Sequence, residues 1–528
     1  MTEGQGATQA RVVGAVGTIG LATLASRLLG YVRDMVVAGT FGAGPVTDAF
    51  FVAFRIPNLL RRLLAEGAIS TALIPVFSEY LARGDRAAFV RMVRAVAGMG
   101  LVVLVAVSAL GVLVASPLVI AMAPGWTADP PLIDLAVRLT RIMFPYLLLV
   151  GLAALATAAL NAHHRFLTAA IGPAVLNVGI IACVWLLASR VDPPILALAA
   201  GVLVGGLGQF LVQVPEVARL GVPLWPSTDW KHPAVRRIVR LLAPATFGLA
   251  GVQLAVMINT LLASLLPAGT VSYLYYADRV MEFPLGVFGI ALATAALPSM
   301  AAQAARGDHG ALRATVGFAL RLACFVAVPA AAGLLALGEP IVRLLFVRGE
   351  FGAVAALATT QALAGYAVGL PAFSATRIAA QTFYALGDTR TPVRLGLVAL
   401  GVNVLLALVL MWPLRHAGLA LASSLSAYVN AAALYWALRR RLGPLGGREL
   451  AGSLGRTLAA SGAMLAWCLL LRPRGIEAWP LAGWTLAVVA TGVLLYLVAS
   501  RLLRSPEAEA LLAPLARLGR RLPRARGE

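Results

Sequence analysis

Long apolar segments, separated by short polar connections, follow one another along nearly the whole chain. We count fourteen segments of about 20 residues or more, the length that a helix needs to cross the hydrocarbon core of a bilayer. The strict alternation of apolar and polar residues that is typical of membrane strands is absent. The pattern predicts an all-α integral membrane protein with about fourteen transmembrane helices, numbered as spans 1 to 14. In chain order they cover residues 12–40, 46–79, 92–122, 132–160, 167–189, 194–219, 236–266, 270–303, 312–337, 353–385, 392–412, 417–438, 450–471 and 480–503.

The composition and the charge pattern exclude an ordinary soluble enzyme. Only 12% of the 528 residues are charged, whereas about 25% is typical of soluble domains. The net charge of +21 could suggest nucleic-acid binding, but the basic residues cluster in alternate loops, as the positive-inside rule describes. We therefore expect a multi-pass membrane protein with no nucleic-acid partner and with both termini in the cytoplasm. The first apolar segment is too long for a cleaved signal peptide.

Two pairs of sequence blocks indicate an internal repeat. TALIPVFSEYLARGD (71–85) matches TAALPSMAAQAARGD (294–308) at an offset of 223 residues. FPYLLLVGLAALATAALN (144–161) matches LPAFSATRIAAQTFYALG (370–387) at an offset of 226 residues. Because this offset covers an even number of spans, the two halves share one orientation and form a parallel repeat.

The repeat predicts two six-helix lobes with two extra helices at the C-terminal end. The N-lobe is 12–219 and the C-lobe is 236–438, while the additional pair of helices is 450–503. A substrate cavity between two such lobes is the usual use of this design. The basic segment 504–528 is either an amphipathic surface helix on anionic lipid or a solvated tail that sets the topology.

Four arginines lie inside the apolar segments, where a charged side chain is costly. They are Arg27 and Arg33 in span 1, Arg61 in span 2 and Arg279 in span 8. A charge at the centre of a bilayer costs about 2.5–3.5 kcal/mol on insertion scales, so intramembrane charges tend to line a cavity or a pathway. Because the planar guanidinium suits bidentate capture of phosphate or carboxylate, the pattern predicts an internal cationic cavity that binds an anion.

Charged neighbours of these arginines leave structural interpretations open. Arg33 could pair with Asp34 or extend to the membrane interface, and the carboxylates near Arg279 could neutralise it. In span 2, Arg62 and Glu66 have the i, i+4 spacing of a salt bridge, so we assign Arg62 a structural role and Arg61 the ligand role. Asp48, near the start of span 2, is interpreted as a helix N-cap. The secondary cavity or coupling candidates among these residues are Asp34, Asp48, Arg55, Arg62, Glu66, Asp278 and Glu282.

Catalytic and metal-binding motifs are missing from the sequence. The chain has no P-loop pattern for nucleotide phosphates. Its three cysteines lie singly in separate apolar segments, and its five histidines lack the spacing of metal ligands. A membrane-embedded lipid-diphosphate transferase or phosphatase would need an acidic or histidine cluster at one leaflet, and none is found. We therefore predict a carrier and not an enzyme, with no cofactor and no metal ligands.

Several motifs resemble one protein family closely. They are SRLLGYVRD (26–34), TDAFFVAFRIPNLLRRLLAEGA (47–68), YYADRVMEFPLGVFGIAL (275–292), FYALGDTRTPV (383–393) and HAGLALASSLSAYVNAAALYWALRR (416–440). The family is that of MurJ, also called MviN, the bacterial lipid II flippases of the MOP exporter superfamily. The resemblance covers essentially the whole chain. It implies a fourteen-helix protein of the bacterial cytoplasmic (inner) membrane that moves undecaprenyl-diphosphate-linked disaccharide-pentapeptide to the outer leaflet by alternating access.

The resemblance also implies roles for particular residues. By motif position, the essential cavity arginines of the family correspond to the four arginines named above. Asp48, Ser272 and Glu282 stand at family positions near the cavity. Spans 13 and 14 resemble the family's groove for the polyprenyl tail. The expected partners are lipid II and membrane lipids, and the expected oligomeric state is a monomer.

One departure from the family concerns sodium. Some members have carboxylates in spans 7 and 11 that are thought to hold sodium, but this chain has Asn259 and Asn403 there, with Ala407 after them. We therefore predict that transport does not need sodium and is coupled to protons or to membrane potential. The alternative function is a related MOP-type exporter of drugs or polysaccharide precursors, against which the four arginines favour a phosphorylated substrate.

Overall fold

The computed structural model describes most of the chain, and its regular structure is helical. The described residues are 24–63, 72–222, 225–472 and 478–511. Within them all regular elements are α-helices or short 3₁₀ and π turns, which confirms the predicted all-α class. Apolar runs of this length satisfy their backbone groups internally only as helices when no water is present.

The chain divides into two compact units. The first unit runs to Ser272 and also includes Arg348–Gly352, and the second comprises Tyr273–Val347 and the chain from Ala353 onward. The predicted lobe boundaries lie elsewhere in the sequence and stay a prediction. The helices that begin in the first unit are α1 (24–41), α2 (Pro45–Arg61), α3 (Ile74–Ala82), α4 (Arg86–Leu113), α5 (Ala115–Met122), α6 (Pro130–Met143), α7 (Tyr146–Ala162), α8 (Leu167–Leu187), α9 (Leu196–Leu211), α10 (Val214–Arg219), α11 (Pro233–Ser264) and α12 (Thr270–Pro284).

The second unit continues from α12 through a π-helical turn, Leu285–Ile290. Its later part contains the longest helix, whose backbone leaves the helical region at Arg415 (φ 49°, ψ −130°) and so joins two helices across a kink. The helices are α13 (Ala291–Ala305), α14 (His309–Phe346), α15 (Ala353–Ala367), α16 (Leu370–Ala385), α17 (Arg390–Leu442), α18 (Gly447–Leu470), α19 (Ala478–Leu502) and α20 (506–511).

The described parts of the fourteen predicted spans fall largely on helices, and several spans are broken; residues 12–23 of span 1 and 64–71 of span 2 lie outside the described residues. Within the described residues, eight helices are long and apolar enough to cross a membrane, and the pair α15–α16, bent by 44°, makes a ninth. The long helix α17 carries spans 11 and 12 together, and Val114 interrupts span 3. The protein is a multi-pass membrane protein by these criteria, and the number of fourteen spans stays a prediction.

The two copies of the RGD block adopt the same local structure. Gly84 and Gly307 both have positive φ values, 73° and 70°, a conformation that glycine adopts without steric cost. The aspartates that follow cap the next helices, because Asp85 accepts a hydrogen bond from the N–H of Ala88 and Asp308 from that of Ala311, each at 2.9 Å. The repeat found in the sequence is therefore also a repeat of helix-start geometry, before α4 and before α14.

A short strap, residues 348–352, packs on the end of α1 in the first unit. The N–H of Glu350 donates to the carbonyl of Gly39 at 3.0 Å. A Cβ atom at Gly349 would lie 2.2 Å from that carbonyl oxygen, and one at Gly42 would lie 2.6 Å from the Glu350 carbonyl oxygen. The close approach of these backbones requires glycine at both positions.

The C-terminal end of the described chain is held against α14 by a buried charge. Glu507 is 1% exposed, and its carboxylate accepts a hydrogen bond from Arg321 at 3.1 Å and from Ser505 at 2.9 Å. Arg321 also bonds Glu449 at 2.8 Å. The hydroxyl of Tyr496 donates to the carbonyl of Phe325 at 2.6 Å. These bonds attach α18, α19 and α20 to α14.

Candidate substrate-binding site

Arg33 lies in a polar cluster between α1 and α8. Its Nε and one Nη bond the carboxylate of Asp34 at 3.0 and 2.6 Å, and its other Nη donates to the side-chain carbonyl of Asn177 at 3.1 Å. The amide nitrogen of Asn177 in turn donates to the carbonyl of Ser26 at 3.2 Å. Arg33 is 16% and Asp34 2% exposed, so this is a largely buried ion pair with an amide that fixes its direction.

This cluster contains the pair that the structural interpretation of Arg33 expects, and it adds a residue. Arg33 pairs with Asp34 and is 16% exposed. Asn177 was not identified as a site residue from the sequence, although the repeat aligns it with Asn403. Arg27, six residues earlier on α1, is exposed in the first unit.

Asp48 holds the start of α12 and not the start of its own helix. It lies in the first turn of α2, whose N-cap is Gly44 without a side-chain cap bond. The Asp48 carboxylate accepts hydrogen bonds from the N–H of Gly269 at 2.6 Å, the N–H of Ser272 at 2.7 Å and the hydroxyl of Ser272 at 2.5 Å. The expectation that Asp48 caps α2 is therefore wrong, because the unsatisfied N–H groups that it reaches belong to a different helix.

The remaining basic residues of α2 have different surroundings. Arg55 donates to the hydroxyl of Thr260 on α11, and Arg61 donates through Nε to the side chain of Asn58 at 2.9 Å. Arg62 is exposed. The proposed partner of Arg62, Glu66, lies outside the described residues. Neutral oxygen atoms thus orient both Arg55 and Arg61, and sequence spacing alone identified neither partner.

Arg279 belongs to a charged cluster of the second unit. Its guanidinium pairs with Glu282 at 2.8 Å, with the two side chains 25% and 48% exposed. Arg377 of α16 lies close enough to Glu282 for the two charges to interact; it was missed in the sequence, although it stands inside the second repeat block. Asp278 is half-buried on the same helix. The π-helical turn begins directly after this cluster, and π turns frequently occur at functional sites.

The expectation that Asn259 and Asn403 form no sodium site stays a prediction. Asn403 is 6% exposed, and its amide nitrogen donates to the hydroxyl of Ser423 at 3.3 Å, while its buried side-chain oxygen has no hydrogen-bond partner among the described residues. Both asparagines are neutral and supply no negative charge to a cation. Among the described residues, no three His, Cys, Asp or Glu side chains form a group that could hold a metal ion.

The first unit thus brings Arg33, Asp34 and Asn177 together, and separately Asp48 with Ser272. Arg279 and Glu282 are paired in the second unit.

The sequence profile of the family described as lipid II flippase MurJ matches residues 37–481. The chain belongs to this family. A lipid II flippase MurJ of Burkholderia cenocepacia is 40% identical over 79% of this chain and 82% of its own length. A probable lipid II flippase MurJ of Vibrio cholerae is 39% identical over 78% of this chain and 80% of its own length.

Solved structures agree on the fold of this family member. The structure of a lipid II flippase MurJ in an inward closed conformation covers 94% of this chain and 99% of its own, with a TM-score of 0.78 and 22% identity. An inward-facing multidrug resistance MATE family transporter of the MOP superfamily covers 80% of this chain and 95% of its own, with a TM-score of 0.66 and 14% identity. The predicted family and fold class are therefore confirmed.

Proposed function

We propose that this chain is a lipid II flippase, which moves undecaprenyl-diphosphate-linked disaccharide-pentapeptide from the inner to the outer leaflet of the cytoplasmic membrane. The observation that carries the proposal is the family match over residues 37–481. The apolar helices of the described chain are consistent with a carrier that works by alternating access. The chain acts as a monomer with both termini in the cytoplasm, an orientation supported by the basic loops.

Arg27, Arg33, Arg61 and Arg279 hold the diphosphate of the substrate. Each lies in an apolar segment, and a guanidinium provides five N–H donors in a planar fork that matches phosphate oxygens. Asp34 at Arg33 and Glu282 at Arg279 keep the charge balanced when substrate is absent. A diphosphate that enters must compete with these carboxylates for the arginines. This competition keeps the binding reversible, so that the site can release the substrate as well as capture it.

The polyprenyl tail occupies an apolar cavity of the second unit. The cavity has a volume of about 550 Å³ and is lined by α14, α16, α17 and α18, including Val328, Pro371, Tyr428 and Leu458. Span 13, which is α18, thus supplies one wall of it. Span 14, which is α19, packs on α14 and α18, so we assign it the support of this wall. Coupling is to protons or membrane potential, since Asn259 and Asn403 are neutral.

The test is complementation of a strain depleted of its lipid II flippase, with membrane levels measured in parallel. We expect the wild-type chain to restore growth and each Arg→Ala variant of the four arginines to fail. Membrane levels should stay near wild type, except in Arg33→Ala, where the buried Asp34 loses its cation and stability falls as well. Arg→Lys should rescue poorly, because an ammonium does not reproduce the bidentate fork. Growth of a variant with all four alanines would contradict the assigned role. Failure of the wild-type chain, together with drug export in vesicles, would favour the alternative MOP-type exporter, whose superfamily shares this fold.

A further inference from the structure

A second apolar cavity, of about 190 Å³, lies in the first unit between α3, α4, α7 and α11. None of the four candidate arginines is among its described lining residues. Two of the lining residues, Val103 and Val239, are 43% and 54% exposed. The cavity therefore opens on a surface that a hydrocarbon chain of the surrounding membrane can reach.

The same feature recurs in the second unit at the repeat offset. Four lining residues of α4 correspond, 223 residues later, to four residues of α14 that line an apolar cavity of about 310 Å³. The recurrence indicates that the cavity is a property of the repeated helices and not a local packing defect. The two corresponding sets are Met99, Gly100, Val103 and Leu104, and Leu322, Ala323, Val326 and Ala327.

Exposed arginines stand close in sequence to the residues that line the cavity in the first unit. Arg94 precedes the lining residues of α4, and Arg236 and Arg240 lie on either side of Val239 on α11; all three arginines are exposed. Trp225 is 77% exposed, and its carbonyl accepts a hydrogen bond from Nε of Arg94 at 3.4 Å. Indole rings and arginines in this combination are typical of the membrane–water interface.

We propose that this cavity binds an anionic phospholipid of the cytoplasmic leaflet. One acyl chain fills the apolar space, and the headgroup phosphate lies against Arg94, Arg236 and Arg240. The commitment to an anionic lipid follows from charge, since basic pockets between transmembrane helices on the cytoplasmic side select anionic headgroups. The assignment to this leaflet rests on the proposed orientation, while binding itself does not depend on the transported substrate.

The experiment is a lipid titration of the purified full-length protein in detergent, followed by native mass spectrometry. Phosphatidylglycerol and phosphatidylcholine with identical acyl chains are compared. In Gly100→Leu a new Cβ meets no atom within 4 Å, so the side chain enters the cavity without displacing backbone. Gly401→Leu, at another glycine with no atom within 4 Å of a Cβ, is the matched control. Arg94→Gln/Arg240→Gln changes only exposed side chains and tests the headgroup contact.

We expect wild type to prefer phosphatidylglycerol by roughly tenfold or more. Gly100→Leu should weaken the binding of both lipids. Arg94→Gln/Arg240→Gln should reduce the binding of phosphatidylglycerol to the level of phosphatidylcholine binding. Arg439→Gln/Arg448→Gln, which removes two exposed arginines of the second unit, should leave the preference intact. Three results would overturn the proposal: unchanged binding in the cavity and headgroup variants, an equal loss in Arg439→Gln/Arg448→Gln, or binding of undecaprenyl phosphate without binding of phosphatidylglycerol.

Discussion

The contact between Asp48 and the start of α12 gives a graded prediction for stability. The Asp48 carboxylate accepts three hydrogen bonds, from the N–H groups of Gly269 and Ser272 and from the Ser272 hydroxyl, and Asp48 is 2% exposed. Asp48→Ala leaves these donors without their acceptor in a buried place. A buried donor left unsatisfied costs about 1–3 kcal/mol, and loss of a helix cap about 1 kcal/mol.

We therefore expect Asp48→Ala to destabilise the protein by about 3 kcal/mol or more. Asp48→Asn keeps one oxygen for the two Ser272 donors, but its amide N–H group then faces the N–H of Gly269, which loses its acceptor. About half of the loss in Asp48→Ala is therefore expected. Ser272→Ala removes only one donor and should cost about 1 kcal/mol. Asp229→Ala, at an exposed residue of the loop before α11, is the matched control and should change stability by less than about 0.5 kcal/mol.

The assay is thermal unfolding of the purified protein in detergent, with hydrogen exchange of residues 269–273 measured by mass spectrometry. The expected order of stability is wild type, Ser272→Ala, Asp48→Asn and Asp48→Ala, with faster amide exchange at the start of α12 in the last variant. If Asp48→Ala were no less stable than Asp229→Ala, or left exchange at 269–273 unchanged, the cap would not have the role inferred from its geometry.

Burial opposes ionisation of Glu507, but its own backbone N–H, Ser505 and the charge of Arg321 outweigh burial and lower the pKa of Glu507. The ionised Glu507 therefore contributes fully to the stability of the folded state above the ordinary carboxyl pKa of 4.5, and this contribution is lost as the pH falls through the lowered pKa. Glu507→Gln should melt below wild type at pH 7 and approach it in acid. Gly349→Ala should destabilise the strap by about 1 kcal/mol or more, because φ is 51° and a Cβ would lie 2.2 Å from a carbonyl oxygen. The control is Gly44→Ala, where a Cβ has no atom within 4 Å and no such loss is expected. Equal melting temperatures of the two variants would refute this prediction. The amount of lipid II that becomes accessible at the outer leaflet of vesicles should depend on the transmembrane pH gradient or on the membrane potential. Dependence on the sodium gradient alone would contradict the prediction that transport does not need sodium.

The helical class was predictable because hydropathy depends on composition over about 20 residues, and the described parts of the predicted spans are largely helical. The main interruptions follow from residues that disfavour a helix. The sequence ends span 11 at residue 412 and begins span 12 at residue 417, and the backbone leaves the helical region between them, at Arg415, two residues after Pro413. Span 3 is interrupted at Val114, three residues before Pro117, whose ring and missing N–H disturb the preceding turn.

The candidate site was predictable where partners are close in sequence. The pairs Arg33–Asp34 and Arg279–Glu282 follow from adjacent or i, i+3 spacing. Asn177 lies 144 residues from Arg33, and Thr260 lies 205 residues from Arg55. Those partners stand on other spans, and helical spacing carries no information on which spans become neighbours.

The distant partners give the intramembrane charges a second role, as tethers between helices of the first unit. Arg33 links α1 to α8 through Asn177, and Arg55 links α2 to α11 through Thr260. Removing Arg33 alone leaves Asp34 as a buried carboxylate without this cation, and breaking a buried pair in this way costs about 3–5 kcal/mol. A loss of transport in Arg33→Ala therefore mixes substrate binding with stability. Thermal stability must therefore be measured beside transport for Arg33→Ala, and Arg33→Ala/Asp34→Ala, which removes both members of the pair, shows how much of the loss comes from the carboxylate left behind.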